Sequence, residues 1–150
     1  MKFYPDTSFL CALYRNQDNT ANAVGFRASV GTALPVTALV LFEFRQSVRW
    51  QTYLHRKDST KGYGYTEATR MLSRLEAELA AGLLQVSAVD LAAVVTRAEV
   101  LSARGTGGGG YRAFDILHVA TALELGATDF VTFDARQGAL AKAAGMKIKP

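Results

Sequence analysis

Hydrophobic and polar positions along this chain alternate between two periods. Short runs of strand character, Lys2–Tyr4, Leu34–Thr37, Leu84–Ser87, Phe130–Phe133 and Met146–Lys149, are separated by stretches in which apolar residues recur at helical spacing. Those stretches are Phe9–Tyr14, Ala21–Val30, Leu39–Leu54, Thr66–Ala81, Leu91–Ala103, Asp115–Leu125 and Arg136–Ala144. Pro5 closes the first strand, which predicts that it ends early, and Gly31, Gly82, Gly126 and Gly145 stand where helix stops are expected. Asp90 is placed to cap the helix that follows it. Strands alternating with helices throughout predict an α/β fold: a parallel sheet with helices on both faces, in a single domain over residues 1–150, with no internal repeat.

One unit organises the rest. In Phe114–Asp134 a helix, a glycine turn and a strand carry an aspartate near each end. The helix runs away for about 15 Å and the strand returns about 13–17 Å, so Asp115 and Asp134 can finish on one edge of the fold. That edge, outside the carboxyl ends of the strands, is where open α/β sheets place ligands.

Composition narrows the class. The chain has 150 residues, 49% of them hydrophobic and 20% charged, so it has a core of real size and is not disordered. A net charge of +4 suits a polyanionic partner. The single cysteine, Cys11, excludes a disulfide framework and reads as a small buried apolar residue. No apolar run approaches the roughly 18 residues of a membrane span, and no signal peptide is evident, so a cytoplasmic protein is the default expectation.

The candidate chemistry lies in carboxylates. Asp6 follows the first strand and reads either as a helix N-cap, with Thr7 and Ser8, or as a metal ligand with a hydroxyl nearby. Glu43 sits within an apolar helix and is either a surface residue at the stripe edge or a partly buried group that needs a partner. Asp115 and Asp134 each precede or open a helix and could be caps. Four carboxylates arriving at one sheet edge are harder to explain that way. At ~4 Å and an effective dielectric of 20, each like-charged pair costs about 4 kcal/mol. Such a cluster calls for cations, and hard oxygen ligands favour Mg²⁺ or Mn²⁺.

Asp6-Thr7-Ser8-x-Leu10, Glu43 within a helix, Asp115 opening an Ala- and Leu-rich helix, and Thr132-x-Asp134 together resemble the PIN-domain nucleases, and among them the VapC-type toxins of toxin–antitoxin pairs. The resemblance spans nearly the whole chain. It implies a three-layer α/β/α fold with a five-stranded parallel sheet in the order 3-2-1-4-5. It further implies that Asp6, Glu43, Asp115 and Asp134 hold Mg²⁺ or Mn²⁺, with Ser8 and Thr132 as supporting hydroxyls. The implied activity is endoribonuclease, leaving 5′-phosphate and 3′-hydroxyl ends. The implied partners are RNA, a VapB-type antitoxin and a second copy of the chain. A non-cleaving PIN scaffold that binds RNA or a protein is the alternative. An aspartyl phosphatase is disfavoured, because Ser8 stands where its second aspartate is needed.

Two further stretches bear on this reading. Between Arg45 and Arg74, seven basic residues face only Asp58 and Glu67, with Trp50, Tyr53, Tyr63 and Tyr65 interleaved. This reads as two solvated helix faces or as a phosphate track with stacking rings, in which Arg45, Arg49, Arg56 and Lys57 are the candidate RNA contacts. By resemblance the same hairpin helps to receive the antitoxin. The Gly107–Gly110 run reads as a flexible linker or a gate, and it lacks the lysine of a P-loop. His55 and His118 are too few for a zinc site; His118 reads as a satisfied helix histidine or a contact to phosphate or the metal shell.

Overall fold

The computed structural model describes residues 1–150. Its elements are β1 (Phe3–Pro5), α1 (Thr7–Tyr14), α2 (Thr20–Val30), β2 (Leu34–Thr37), α3 (Ala38–Lys57), α4 (Tyr65–Ala80), β3 (Leu84–Ser87), α5 (Leu91–Gly109), α6 (Ala113–Glu124), β4 (Asp129–Val131), α7 (Ala135–Ala143) and β5 (Lys147–Lys149). The alternation predicted from the residue pattern is present, and all strand pairs are parallel. The helices pack in two groups, α1 to α4 and α5 to α7. Tyr4, Phe9, Leu10, Phe44, Val119 and Phe130 belong to one continuous buried core. No helix is long and apolar enough to cross a membrane.

The five-stranded sheet needs correction. The hydrogen-bonded ladders form a three-stranded sheet, β1-β4-β5, and a separate two-stranded one, β2-β3. β2 still lies beside β1, so the strands keep their places but the seam has no ladder. Two prolines explain it. The Leu34 amide donates to Leu83, which turns Leu34 toward β3 and the next residue, Pro35, toward β1. The Asp6 amide donates to Val131 in β4, which turns Pro5 toward β2. Each side of the seam thus presents a residue with no N–H to give. Pro5 does not end β1 early, as expected from sequence; it is the last residue of the strand and removes bonds only on its β2 side.

The glycine run is also corrected. Gly107–Gly109 are neither linker nor gate but the end of α5, which stops at Gly110 with φ of 62°. The Tyr111 ring folds back over this last turn. A Cβ on Gly105 would stand 3.2 Å from that ring, and one on Gly109 would collide with it. The glycines therefore make room for an aromatic side chain in front of α6.

Several helices begin on an oxygen at the rim formed by the strands' carboxyl ends. Asp6 accepts from the Phe9 amide, Thr37 from Val40, and Asp134 from Arg136 and Gln137. This capping device also places the functional side chains.

Candidate active site

Asp6 is fully buried at the end of β1. Its Oδ1 accepts from the Phe9 amide at 2.9 Å and the Ser8 hydroxyl at 2.7 Å; its Oδ2 accepts from the Thr132 hydroxyl at 2.6 Å. Ser8 and Thr132 lie 3.2 Å apart, and their oxygens accept from the Phe133 and Asp134 amides at 2.8 and 2.9 Å. Both expected hydroxyls are therefore in place around Asp6. Burial pushes the Asp6 carboxyl above its ordinary value, against the pull of the Thr132, Phe9 and Ser8 hydrogen bonds.

Glu43 comes off α3 opposite this group. Its Oε2 accepts from the Thr7 hydroxyl and from His118 Nε2, the latter at 2.7 Å. His118 is completely buried, and its Nδ1 lies 2.9 Å from the Tyr4 hydroxyl, itself 3.4 Å from Thr37 Oγ1. One donor direction satisfies every member: Thr37 to Tyr4, Tyr4 to His118, His118 to Glu43. Burial alone would raise the Glu43 pKa, but the His118 and Thr7 hydrogen bonds outweigh it and hold the carboxyl below its ordinary range. Burial keeps the Tyr4 phenol well above its ordinary value, and so a donor.

Asp115 occupies the first turn of α6, where Oδ2 accepts from the Arg112 amide at 3.0 Å. Asp134 caps α7, where Oδ1 accepts from the Arg136 and Gln137 amides at 2.8 and 3.0 Å. The capping roles open to Asp6, Asp115 and Asp134 from sequence are thus all filled, and each cap also fronts the strand edge. Two clefts adjoin there and share Phe133 and Asp134. One, of about 440 Å³, includes Glu43, Thr7 and Ser8 in its walls. The other, also about 440 Å³, is formed by Asp115 and Asp134 with Arg112, Ala135 and Arg136. No three His, Cys, Asp or Glu side chains are gathered tightly enough to be a ready-made ligand set. Asp129 stands at the far end of β4, beside Lys2 and Phe3.

The basic hairpin of α3 and α4 is more selective than its sequence. Arg45 is engaged by Glu76 at 2.8 Å, Arg70 by Glu67 at 2.6 Å, Arg74 by Glu78 at 2.9 Å and Lys61 by Asp58 at 3.4 Å. Arg49, Arg56 and Lys57 are exposed and have no acidic partner. The exposed Trp50 and Tyr53 rings stack at 5.2 Å, with Arg56 and Lys57 each 5.8 Å from the Tyr53 centroid. Tyr65 is exposed, whereas Tyr63 is buried beneath the Arg15 guanidinium.

Sequence reasoning missed Thr7 and Tyr4 as supports for Glu43, and Arg112 and Arg136 beside the two aspartates. The arginines carry a readable signal, since they flank Asp115 and Asp134 in Arg112-Ala-Phe-Asp115 and Asp134-Ala-Arg136. The Tyr4–His118–Glu43 connection joins distant segments and has no local signature.

No curated protein matches the chain in sequence. Among solved structures it is similar to Mycobacterium tuberculosis VapC20, described as a Sarcin-Ricin loop cleaving toxin, at 20% identity and a TM-score of 0.66 over 99% of this chain and 100% of that one. It is similar to FitAcB from Neisseria gonorrhoeae at 19% identity and a TM-score of 0.66, over 99% and 96% of the two chains. DNA-bound VapBC from Salmonella typhimurium aligns at 16% identity and a TM-score of 0.65, over 99% and 97%. At these identities the likeness is one of fold. The PIN domain family model matches residues 3–143, and the chain belongs to that family.

Proposed function

We propose that this chain is a Mg²⁺- or Mn²⁺-dependent endoribonuclease and the toxin of a VapBC-type pair. The observation that carries the reading is the arrangement at the strand edge. Glu43, Asp115 and Asp134 line two adjoining clefts, Asp6 is buried behind them with both oxygens hydrogen-bonded, and unpaired Arg112 and Arg136 stand beside Asp115 and Asp134. The donor chemistry fits a hard cation. Glu43 Oε1, Asp115 Oδ1 and Asp134 Oδ2 make no hydrogen bond within the protein, whereas their sister oxygens are held. Bound there, the metal would lower the pKa of a water and offset charge on the phosphate and leaving oxygen.

The chain's own residues divide the remaining work. Asp6 fixes the Ser8 and Thr132 hydroxyls, and His118 with Thr7 fixes the orientation of Glu43. Arg112 and Arg136 hold the phosphate. Arg49, Arg56 and Lys57, with the Trp50–Tyr53 stack, hold the flanking unpaired RNA. Complexes such as VapBC and FitAcB share this fold, which supports a VapB-type antitoxin as the protein partner. A homodimer in the cytoplasm completes the reading.

The test is purified chain, freed of co-purified protein, incubated with total RNA in Mn²⁺ and in EDTA. Cleavage in Mn²⁺ that disappears in EDTA and in Asp6→Asn is expected. Cleavage surviving in either would defeat the mechanism. RNA binding without any cleavage would move the assignment to a non-cutting scaffold.

A further inference from the structure

A third cleft, of about 720 Å³, shares no wall residue with the two at the carboxylate edge. It lies on the α2 side of the sheet, where Phe26 and Val30 of α2 meet Phe3 of β1, Asp129 of β4 and Lys149 of β5. The Phe3 and Phe26 rings pack edge to face at 5.7 Å. Asp129 is in register with Phe3, and register partners on parallel strands point to the same side of the sheet. The Asp129 side chain is therefore aimed into this cleft.

That carboxylate has no partner. Asp129 is only 9% exposed, yet its side chain accepts no hydrogen bond and joins no ion pair. Gln137 Oε1 is the one side-chain polar atom that is both unpartnered and closed off from the surface, so the Asp129 oxygens are open to the cleft. Carboxylates buried this far are ordinarily paired, because desolvation is costly. Lys147 is the register partner of Asp129 on β5, and Lys2 and Lys149 stand in the cleft walls, but none of the three forms an ion pair with it or with any other acid. The cleft thus holds one unmet acceptor, two free cations and an aromatic wall.

We infer that this cleft binds a guanine mononucleotide. Guanine carries two N–H donors side by side on one edge, N1–H and N2–H₂, which match the two oxygens of the Asp129 carboxylate. Adenine, cytosine and uracil each place an acceptor beside their donor, and that acceptor would face a carboxylate oxygen. Phe3, Phe26 and Val30 supply the apolar wall for a flat purine. Lys149 lies opposite Val131, two residues and about 7 Å further along the sheet than Asp129, so the base and its phosphate can be met together. A cleft volume of about 300–1,000 Å³ is typical for ligands of this size. A guanidinium would also fork the carboxylate, but it would enter past Lys2 and Lys149 as a third positive charge. The site stands apart from the ribonuclease reading and needs no metal.

The experiment is calorimetric titration of the full chain, in EDTA, with GMP, AMP, guanosine and free arginine, beside thermal melts. GMP should bind at least about tenfold tighter than AMP, the discrimination a bidentate contact to a base supplies. Guanosine, lacking the phosphate, should bind at least about threefold more weakly than GMP. Asp129→Asn should abolish the preference for GMP over AMP. Its amide can donate, so it should instead favour xanthosine monophosphate, in which a carbonyl replaces the N2 amine. Lys2→Ala with Lys149→Ala, at exposed positions, should lower GMP to the affinity of guanosine while the preference for guanine over adenine stays. That arm decides the matter if melts show that Asp129→Asn does not fold. Equal affinities for GMP and AMP in wild type, arginine binding as tightly as GMP, or GMP binding unchanged in either variant overturns the site. Loss of GMP binding in Arg112→Ala with Arg136→Ala would place the nucleotide at the carboxylate edge and overturn it too. Every arm reads binding without metal, so its outcome is separate from that of the cleavage assay.

Discussion

The carboxylate wall and the α3–α4 hairpin are held together in opposite ways. In the wall, Asp6, Thr132 and His118 are buried, and their bonds join residues far apart in the chain: Thr7 to Glu43, Glu43 to His118, Asp6 to Thr132. On the hairpin, three of the four ion pairs link residues three or four apart, and all are at the surface. Exposed pairs of that kind contribute about 0–1 kcal/mol each. The wall therefore depends on the whole fold, and the hairpin largely on its own helices. The difference matches what each must do: groups near a reacting bond tolerate little misplacement, whereas contacts along a flexible polyanion tolerate slack.

The largest break in this contrast should come from His118→Ala. It strips a donor from Glu43 and an acceptor from Tyr4, and it opens space in the core. A buried Tyr4 and a partly exposed Glu43, each losing a partner at about 1–3 kcal/mol, predict a destabilisation of about 2–6 kcal/mol. Urea unfolding measures it, and a loss under about 1 kcal/mol would mean that the wall is not held as described. Metal comes next. If the carboxylates share a cation, Mn²⁺ at a hundredfold excess over its Kd should stabilise wild type by about 2.7 kcal/mol, and Asp115→Asn should remove much of the gain. Equal melting temperatures in Mn²⁺ and EDTA would count against a shared site.

The same contrast explains what could be read from sequence. Asp6 and Asp134 sit where strands pass into helices, so strand and cap patterns pointed to one edge for them, whereas Ser8 and Thr132 entered only through the resemblance to PIN-domain nucleases. Asp115 followed from the lengths of its helix and the strand after it; Glu43's helix showed only a carboxylate on a partly apolar face, and the resemblance put it with the others. His118 could not be resolved the same way, because its partners are Tyr4 and Glu43, on other elements, and nothing in its own helix points to them. The β1–β2 seam was hidden although Pro5 and Pro35 were visible, since which way a strand residue turns depends on register. The glycines ending α5 looked like a linker because helix propensity counts against them, and only the Tyr111 ring gives their reason. Arg45 and Arg49 looked equivalent until Glu76 was placed across the hairpin.

Acid should touch the wall by a smaller and signed amount. The Glu43 carboxyl is held below its ordinary value of 4.5. A depressed carboxylate contributes stability that is present above the unfolded value and lost as pH falls through the folded one. In metal-free protein the stability difference between wild type and Glu43→Gln should therefore be flat on lowering pH toward 5 and shrink below about 4.5. Denaturant midpoints across that range decide it, and a gap that widens on acidification would show that the His118 bond does not favour the ionised carboxylate.

The smallest effect on stability, and the sharpest on binding, belongs to the hairpin. Arg49→Ala with Arg56→Ala removes two exposed charges that have no acidic partner, so unfolding free energy should change by no more than about 0.5 kcal/mol. RNA affinity should fall, and the slope of log K against log salt should flatten by about 1.4, at about 0.7 per single-strand phosphate contact. Arg45→Ala is the matched control. Its guanidinium is already occupied by Glu76 at 2.8 Å, so less of its charge is free for phosphate and its loss should flatten the slope less than Arg49→Ala does. Salt titrations of wild type and the three variants on one single-stranded RNA make the comparison direct. If Arg45→Ala and Arg49→Ala flatten the slope equally, the Glu76 pair opens on binding, and the hairpin presents the even basic face suggested by its sequence rather than the selective one its ion pairs define.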